Sequence, residues 1–353
     1  MILAVLCLKG WYDKEKIRRE RATNMKNKQY LTIQDIADLA GVSKSTVSRY
    51  LNGGSVGKKT RKKLEIIIDE YDYQPNMFAQ SLKAKQSNIV GIVVPRLTSY
   101  SVHESLKGID LYCEEKGYTT LIVNTYQDSQ REIQALKTFG QQNVAGIIFY
   151  GRVITEEHLE VIERIAIPVV VLGQEARDIP YVIYNDYEAG RQIGQYVSRM
   201  GHQNVLYFGV TAEDKAVGVS RRQGVIDGLQ SGTKVEEVKT GFSIENAYQT
   251  GMRALLSTQA TYAICATDNI ALGVLKAARQ LGIEVPTDLS ISGFGGYAMG
   301  EAVHPSLTTI HYDFQKAGDL AAHQLLEVIN KEPISSPVVV DCHLEVREST
   351  IKH

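Results

Sequence analysis

Apolar residues recur at helical spacing early in the chain and as short, nearly continuous runs later, with the change near residue 88. After Leu31, the residues Ile36, Ala37, Leu39 and Ala40 form one stripe, which Gly41 ends. Thr32, with Asp35 three residues on, has the spacing of a helix cap. Ser43 is placed to cap a second helix reaching Tyr50 or Leu51, with Val47 and Leu51 inward. Residues 52–54, Asn-Gly-Gly, break it. A third helix is predicted from Thr60 through "TRKKLEIIIDEY", where Leu64, Ile67 and Ile68 keep the period. Two short helices around a tight glycine turn, supported by a third, make a helix-turn-helix.

Residues 74–87, "QPNMFAQSLKAKQS", admit two readings. Pro75 stops the preceding helix and Asn76 can cap another, but so short a helix is marginal by itself. One reading is a hinge helix that forms on DNA beside its twin, with Leu82 as an apolar wedge next to the cation Lys83. The other is a plain linker. From Asn88, nine strand-like runs alternate with helical spans, from "NIVGIVV" through "YVIYN" and "NVLYFG" to "LSISGFG". Apolar strands each followed by a helix predict parallel sheets covered on both faces. Nine are more than one sheet holds comfortably, so the expected fold is α/β: two doubly wound parallel-sheet lobes behind the helix-turn-helix module and hinge. The boundaries read as 25–73 for the module, 74–87 for the hinge and 88–353 for the body. Lobe 1 is expected over 88–197 and 313–335, and lobe 2 over 198–312 and 336–353. A ligand belongs in the cleft beyond the strands' carboxyl ends.

Charge sharpens this division. The net charge of the 353 residues is only -1, yet residues 1–87 carry 17 Lys/Arg against 9 Asp/Glu, and the rest carries 22 against 31. A basic head on an acidic body suits a polyanion-binding module joined to a part that leaves the polyanion alone. On the second helix, Lys44, Ser45, Ser48 and Arg49 are left to point outward, short donors and cations suited to phosphates and base edges. The four cysteines are scattered without metal-ligand spacing, which favours a reducing cytoplasm and neither a disulfide frame nor a zinc site. No run reaches 18 apolar residues, so no membrane span is predicted. Residues 1–24 read as a leader outside the functional protein, with Met25 the expected start.

Enzymatic readings find little support. There is no GxSxG and no HExxH. "GFGGYA" at 293–298 matches a dinucleotide finger, but Pro305 cuts off the helix it would need and no acidic residue ends a strand about twenty residues on. An exported sugar-binding protein would have no use for the basic helices. No cofactor is expected.

The ordered motifs "LTIQDIADLAGVSKSTVSRYLNG", "TRKKL", "YQPNMFAQSLKAK", "MGHQNVLYFG", "SRRQGVIDGL", "ATDNIALGVLKAARQLGIEVPTDLSISGFG" and "LEVREST" resemble the lactose/galactose-repressor (LacI/GalR) family over nearly the whole chain after Leu31. The resemblance implies a dimeric bacterial transcription regulator, a repressor of a carbohydrate operon, controlled by a small sugar or sugar phosphate between two lobes. It places Lys44, Ser45 and Arg49 at base-reading positions and Thr46 and Ser48 at phosphates. Thr32, Ser43, Asn52, Asn76, Ala79 and Lys83 complete the expected contacts to duplex palindromic operator DNA, and Leu82 is the intercalating leucine. In the cleft it points to Arg221, Phe242, Asp268 and Asp186, with Ser99, Tyr100 and Gly295 as further contacts. The final "LEVRESTIKH" carries no leucine heptads, so a homodimer is expected.

One departure from the family pattern bears on the ligand. Where most members carry an aspartate that accepts sugar hydroxyls, this chain has Gly295 and Gly296. Arg96 after the first strand and Arg152 after the third would join Arg221 at the cleft, giving three guanidiniums and one anion fewer. Such a site favours phosphate. The segment 94–102 and the missing aspartate are most similar to the sucrose- and trehalose-operon members, so a phosphorylated disaccharide is the expected effector. Whether that ligand releases DNA or promotes its binding stays open at this stage.

Overall fold

The computed structural model describes residues 31–51, 53–73 and 87–353. The expectations for residues 1–24, for the start at Met25, and for Asn52, Asn76, Ala79, Leu82 and Lys83 lie outside the described residues. The chain divides into two units, Met1–Ser87 and Asn88–His353.

In the first unit, α1 spans Ile33–Ala40, α2 Lys44–Leu51 and α3 Lys58–Glu70. The helix α3 begins before Thr60, because Lys58 and Lys59 add favourable helix formers behind the Gly57 cap. Thr32 and Asp35 form a reciprocal capping box, and Gly41 ends α1 in the left-handed region at φ 62°. Ile36, Ala37, Ala40, Val47, Leu64 and Tyr73 make a small buried core, against which Leu51, Ile67 and Ile68 pack half-buried. Val47 is the one fully buried side chain of α2, with Tyr50 and Leu51 packed half-buried beside it, so the face carrying Lys44, Ser45 and Arg49 is left exposed.

The second unit contains two six-stranded sheets. The first has the order β11-β5-β4-β3-β1-β2, built from Ile89–Val94 (β1), Thr119–Asn124 (β2), Gly146–Phe149 (β3), Val169–Leu172 (β4), Tyr181–Tyr184 (β5) and Val338–Val340 (β11), all parallel. The second has the order β12-β10-β9-β8-β6-β7, from Asn204–Gly209 (β6), Lys234–Lys239 (β7), Tyr262–Cys265 (β8), Ser290–Gly295 (β9), Thr308–Tyr312 (β10) and Cys342–Glu345 (β12). There β12 alone runs antiparallel, on β10. The helices α4 (Tyr100–Glu115), α5 (Ser129–Gln142) and α6 (Glu156–Ile165) belong to the first lobe. The second holds α7 (Asp186–Arg199), a π-helical turn Lys215–Arg221, α8 (Arg222–Gly228), α9 (Ile244–Ala254), α10 (Asp268–Gln280) and α11 (Ala298–Ala302). The last helix, α12 (Phe314–Asn330), returns to the first lobe against α4.

The lobe boundaries differ from those expected. The chain crosses after β5, not after residue 197, so α7 packs in the second lobe on α8 and β12. Gly190 and Gly224 make this possible: a Cβ on Gly190 would sit 2.1 Å from the Arg221 carbonyl oxygen, and one on Gly224 would sit 2.0 Å from that of Tyr187. Only two bare backbones approach so closely. The segment after 336 is likewise split, with β11 in the first sheet and β12 in the second. Among the described residues no helix is long and apolar enough to cross a membrane.

Candidate functional site

The polar helix α2 starts from Ser43, whose hydroxyl accepts from the Thr46 amide at 3.3 Å and bonds the Ser45 and Thr46 hydroxyls at 2.8 Å each. Thr32 is exposed, and its hydroxyl is engaged by Asp35 in the cap. Lys44, Ser45 and Arg49 are exposed, while Thr46 and Ser48 are half-buried, so Ser48 points outward less than expected because it flanks the buried Val47 face. After α2, the amides of Gly53 and Gly54 donate back to the Tyr50 and Arg49 carbonyls at 3.1 and 2.8 Å. The chain therefore folds over its own helix end. A Cβ on Gly54 would stand 2.6 Å from Arg49 Cγ, so the glycine leaves room for the Arg49 stem.

The second site is the cleft between the lobes. The first lobe lines it with Arg96, Ser99, Ser101, Gln127, Tyr150, Arg152, Gln174, Tyr184 and Phe314. The second contributes Asp186, Asp214, Arg221, Phe242, Thr267, Asn269, Phe294, Gly295, Tyr297 and Tyr312. Of the expected effector contacts, Arg96, Ser99, Arg152, Asp186, Arg221, Phe242 and Gly295 meet there. Tyr100 stands just behind, stacked on Tyr297 with ring centroids 4.4 Å apart. Asp268 lies beneath the wall, fully buried, accepting from Thr309 Oγ1 at 2.6 Å and from the Tyr297 amide at 2.7 Å. Burial raises its carboxyl to about 6, against the lowering effect of those two hydrogen bonds. It positions the wall; its own oxygens are occupied.

The charge arrangement corrects the sequence reading of three available guanidiniums. Arg221 is buried against Asp186: Nε donates to Oδ1 at 2.9 Å and Nη2 to the same oxygen, while Nη1 reaches the Ala266 carbonyl. Tyr312 also donates to Asp186 Oδ1, at 3.0 Å, and the guanidinium lies over the Phe294 ring at 4.9 Å. Burial opposes the Arg221 charge, and Asp186 and the surrounding phenols more than restore it. Arg152 faces Glu213 of the other lobe at 3.8 Å. Among the described residues, only Arg96 of the three has no carboxylate at ion-pair distance; its guanidinium sits 5.7 Å from the centre of the Phe242 ring. Burial lowers the Arg96 pKa, Tyr297 works against that, and neighbouring Arg152 lowers it further. Among the described residues, the three cleft guanidiniums thus make a locked pair, a cross-lobe pair and one cation with no carboxylate at ion-pair distance.

Sequence reasoning missed the tyrosines. Tyr150 and Tyr184 share a buried hydroxyl cluster with Ser105, and burial raises both phenols. Tyr297 fills the space a side chain at 295 would need, its Cε1 lying 2.2 Å from where that Cβ would be. Also missed was Gln174, which donates to Asp214 across the cleft at 3.0 Å. The sequence signal for Tyr297 was its place directly after two glycines. No cluster of three or more His, Cys, Asp or Glu that could hold a metal occurs among the described residues.

A helix-turn-helix unit joined to a two-lobed ligand-binding body defines a ligand-responsive DNA-binding regulator. Residues 32–76 match the model for bacterial regulatory proteins of the lacI family, and residues 195–350 match that for a periplasmic binding protein-like domain. The chain is 42% identical over 311 residues to the sucrose operon repressor of Staphylococcus xylosus, covering 88% of this chain and 97% of that protein. It is 30% identical to catabolite control protein A of Priestia megaterium, covering 91% and 99%. A lac repressor dimer bound to operator and the anti-inducer ONPF shares the fold with a TM-score of 0.82 at 23% identity, over 92% of this chain and all of that one. The chain belongs to the LacI family of transcriptional regulators.

Proposed function

We propose that this regulator is a cytoplasmic repressor of a disaccharide-utilisation operon, that it binds a palindromic operator as a homodimer, and that a sucrose- or trehalose-type sugar phosphate in the cleft controls it. The observation that carries the ligand assignment is Arg96, a cleft cation with no carboxylate at ion-pair distance among the described residues. Guanidinium takes phosphate by paired, charge-assisted hydrogen bonds. Arg152 lies near enough to add to the same field, whereas Arg221 is committed to Asp186. The name of the Staphylococcus relative supports sucrose as the sugar.

Lys44, Ser45 and Arg49 are the proposed base-reading residues, with Ser43, Thr46 and Ser48 at the phosphates. Dimerisation is supported by exposed apolar side chains on the first lobe, where Leu111 of α4 is 58% exposed and Leu121 and Ile122 of the edge strand β2 are 40% and 42% exposed. A pairing surface of that kind needs a partner. Calorimetry on the full chain tests the ligand assignment. Sucrose 6-phosphate or trehalose 6-phosphate should bind more tightly than its parent sugar; equal or tighter binding of the free sugars would reject it.

A further inference from the structure

Most hydroxyls that line the cleft are engaged within the protein. Tyr312 donates to Asp186, Tyr184 bonds Ser105, Ser99 bonds Ser101, and Thr267 caps α10. Tyr297 differs. It is 8% exposed, lines the cleft, and its hydroxyl has no hydrogen-bond partner among the described residues. That hydroxyl is not sealed off from the cleft, so it is free to donate to an acceptor on a ligand bound there.

The ring is also held in place from four sides. Its backbone amide donates to Asp268, Tyr100 of the other lobe stacks on it at 29° between planes, Phe314 lies 6.1 Å away, and Gly295 leaves its volume open. Gly295 has φ 142°, a backbone state side chains rarely adopt, so the glycine and the tyrosine depend on each other. A rigid donor on the cleft wall is preorganised for an acceptor of fixed position. Arg96, with no carboxylate at ion-pair distance among the described residues, lines the same cavity.

We propose that Tyr297 is a specificity-determining residue of the cleft: its hydroxyl and the Arg96 guanidinium together hold the phosphate of the sugar and set the preference for the phosphorylated over the free ligand. This rests on the sugar-phosphate reading above. A phenol O–H donates to a phosphate oxygen more strongly than to a neutral sugar oxygen, because the acceptor is charged. A carboxylate at this wall would do the reverse, accepting sugar hydroxyls and repelling the anion.

The test is calorimetry on the full chain with sucrose and trehalose, each free and as the 6-phosphate, against wild type, Tyr297→Phe, Arg96→Gln and the double variant. Tyr297→Phe keeps the ring and removes one donor. It should weaken binding of the phosphorylated sugar about tenfold or more, on the usual strength of a hydrogen bond to a charged group, and leave the free sugar within about twofold. The double variant should lose less than the product of the single losses, because both groups hold one anion. An unchanged ratio of phosphorylated to free affinity in Tyr297→Phe overturns the proposal, as does equal loss for both forms. If wild type itself prefers the free sugars, the sugar-phosphate reading has failed first and takes this proposal with it.

Discussion

Asp186 and Arg221, 35 residues apart, meet as a buried ion pair on the cleft wall of the second lobe, with Nε to Oδ1 at 2.9 Å. The pair depends on the close contact of α7 and the π-helical turn before α8, which the bare Gly190 and Gly224 allow. Asp186 opens α7 and Arg221 ends the turn, so the backbone contact brings the charges together. Breaking a buried pair from one side leaves a charge without compensation. Asp186→Ala should therefore cost about 3–5 kcal/mol of stability in urea unfolding. A loss below about 1 kcal/mol, the range of exposed pairs, would mean the pair is solvated.

Asp268 makes stability depend on pH. Its folded pKa, about 6, lies above the ordinary aspartate value of 3.8, so between those values the native state holds the proton that the unfolded chain releases. Its contribution to stability is then most favourable below about pH 4 and is lost as pH rises to about 6, by roughly 3 kcal/mol at 1.36 kcal/mol per pH unit. Asp268→Asn cannot titrate. The stability difference between wild type and this variant, measured in urea at pH 4, 5 and 6, should move against wild type as pH rises; a flat difference would contradict the burial argument.

Gly54 sits against the stem of Arg49, with 2.6 Å between its would-be Cβ and Arg49 Cγ. Gly54→Ala should displace the arginine and reproduce much of the effect of Arg49→Ala, a loss of about 1–3 kcal/mol in operator discrimination if Arg49 reads a guanine. Competition titrations against scrambled duplex measure it. Nonspecific binding at low salt should persist, because the other cations remain.

The exposed Leu121 and Ile122 on β2 give a third kind of test. Leu121→Glu should shift sedimentation from dimer toward monomer and weaken operator binding, since a palindrome is read by two subunits together. A variant that stays dimeric would move the interface elsewhere.

Much of the fold was legible because its signals are local. The capping pair Thr32 and Asp35, the stop at Gly41 and the single inward Val47 need only a few neighbouring residues, and the apolar β1 and β8 announce themselves. Three strands escaped detection. Thr308–Tyr312 opens on two threonines and carries a histidine between its two apolar residues, which hides its burial, and β11 and β12 are three and four residues long. The crossing of α7 between lobes was hidden because it depends on glycines of α7 meeting glycines of α8. Within the cleft, the positions of Arg96, Arg152 and Arg221 could be read, but which of them had a carboxylate partner could not. Glu213 and Asp186 reach their partners from distant segments, and Tyr297 enters the wall only because Gly295 leaves it room.

The most direct measurement is fluorescence anisotropy with the full chain on a palindromic duplex, selected from a random library by the protein itself, with and without sucrose 6-phosphate or trehalose 6-phosphate. The account predicts tight, salt-sensitive binding that prefers the selected duplex over a scrambled one, and an affinity that changes when one of these sugar phosphates is added. Binding that shows no preference for any palindrome, at every salt concentration and with either ligand, would contradict it.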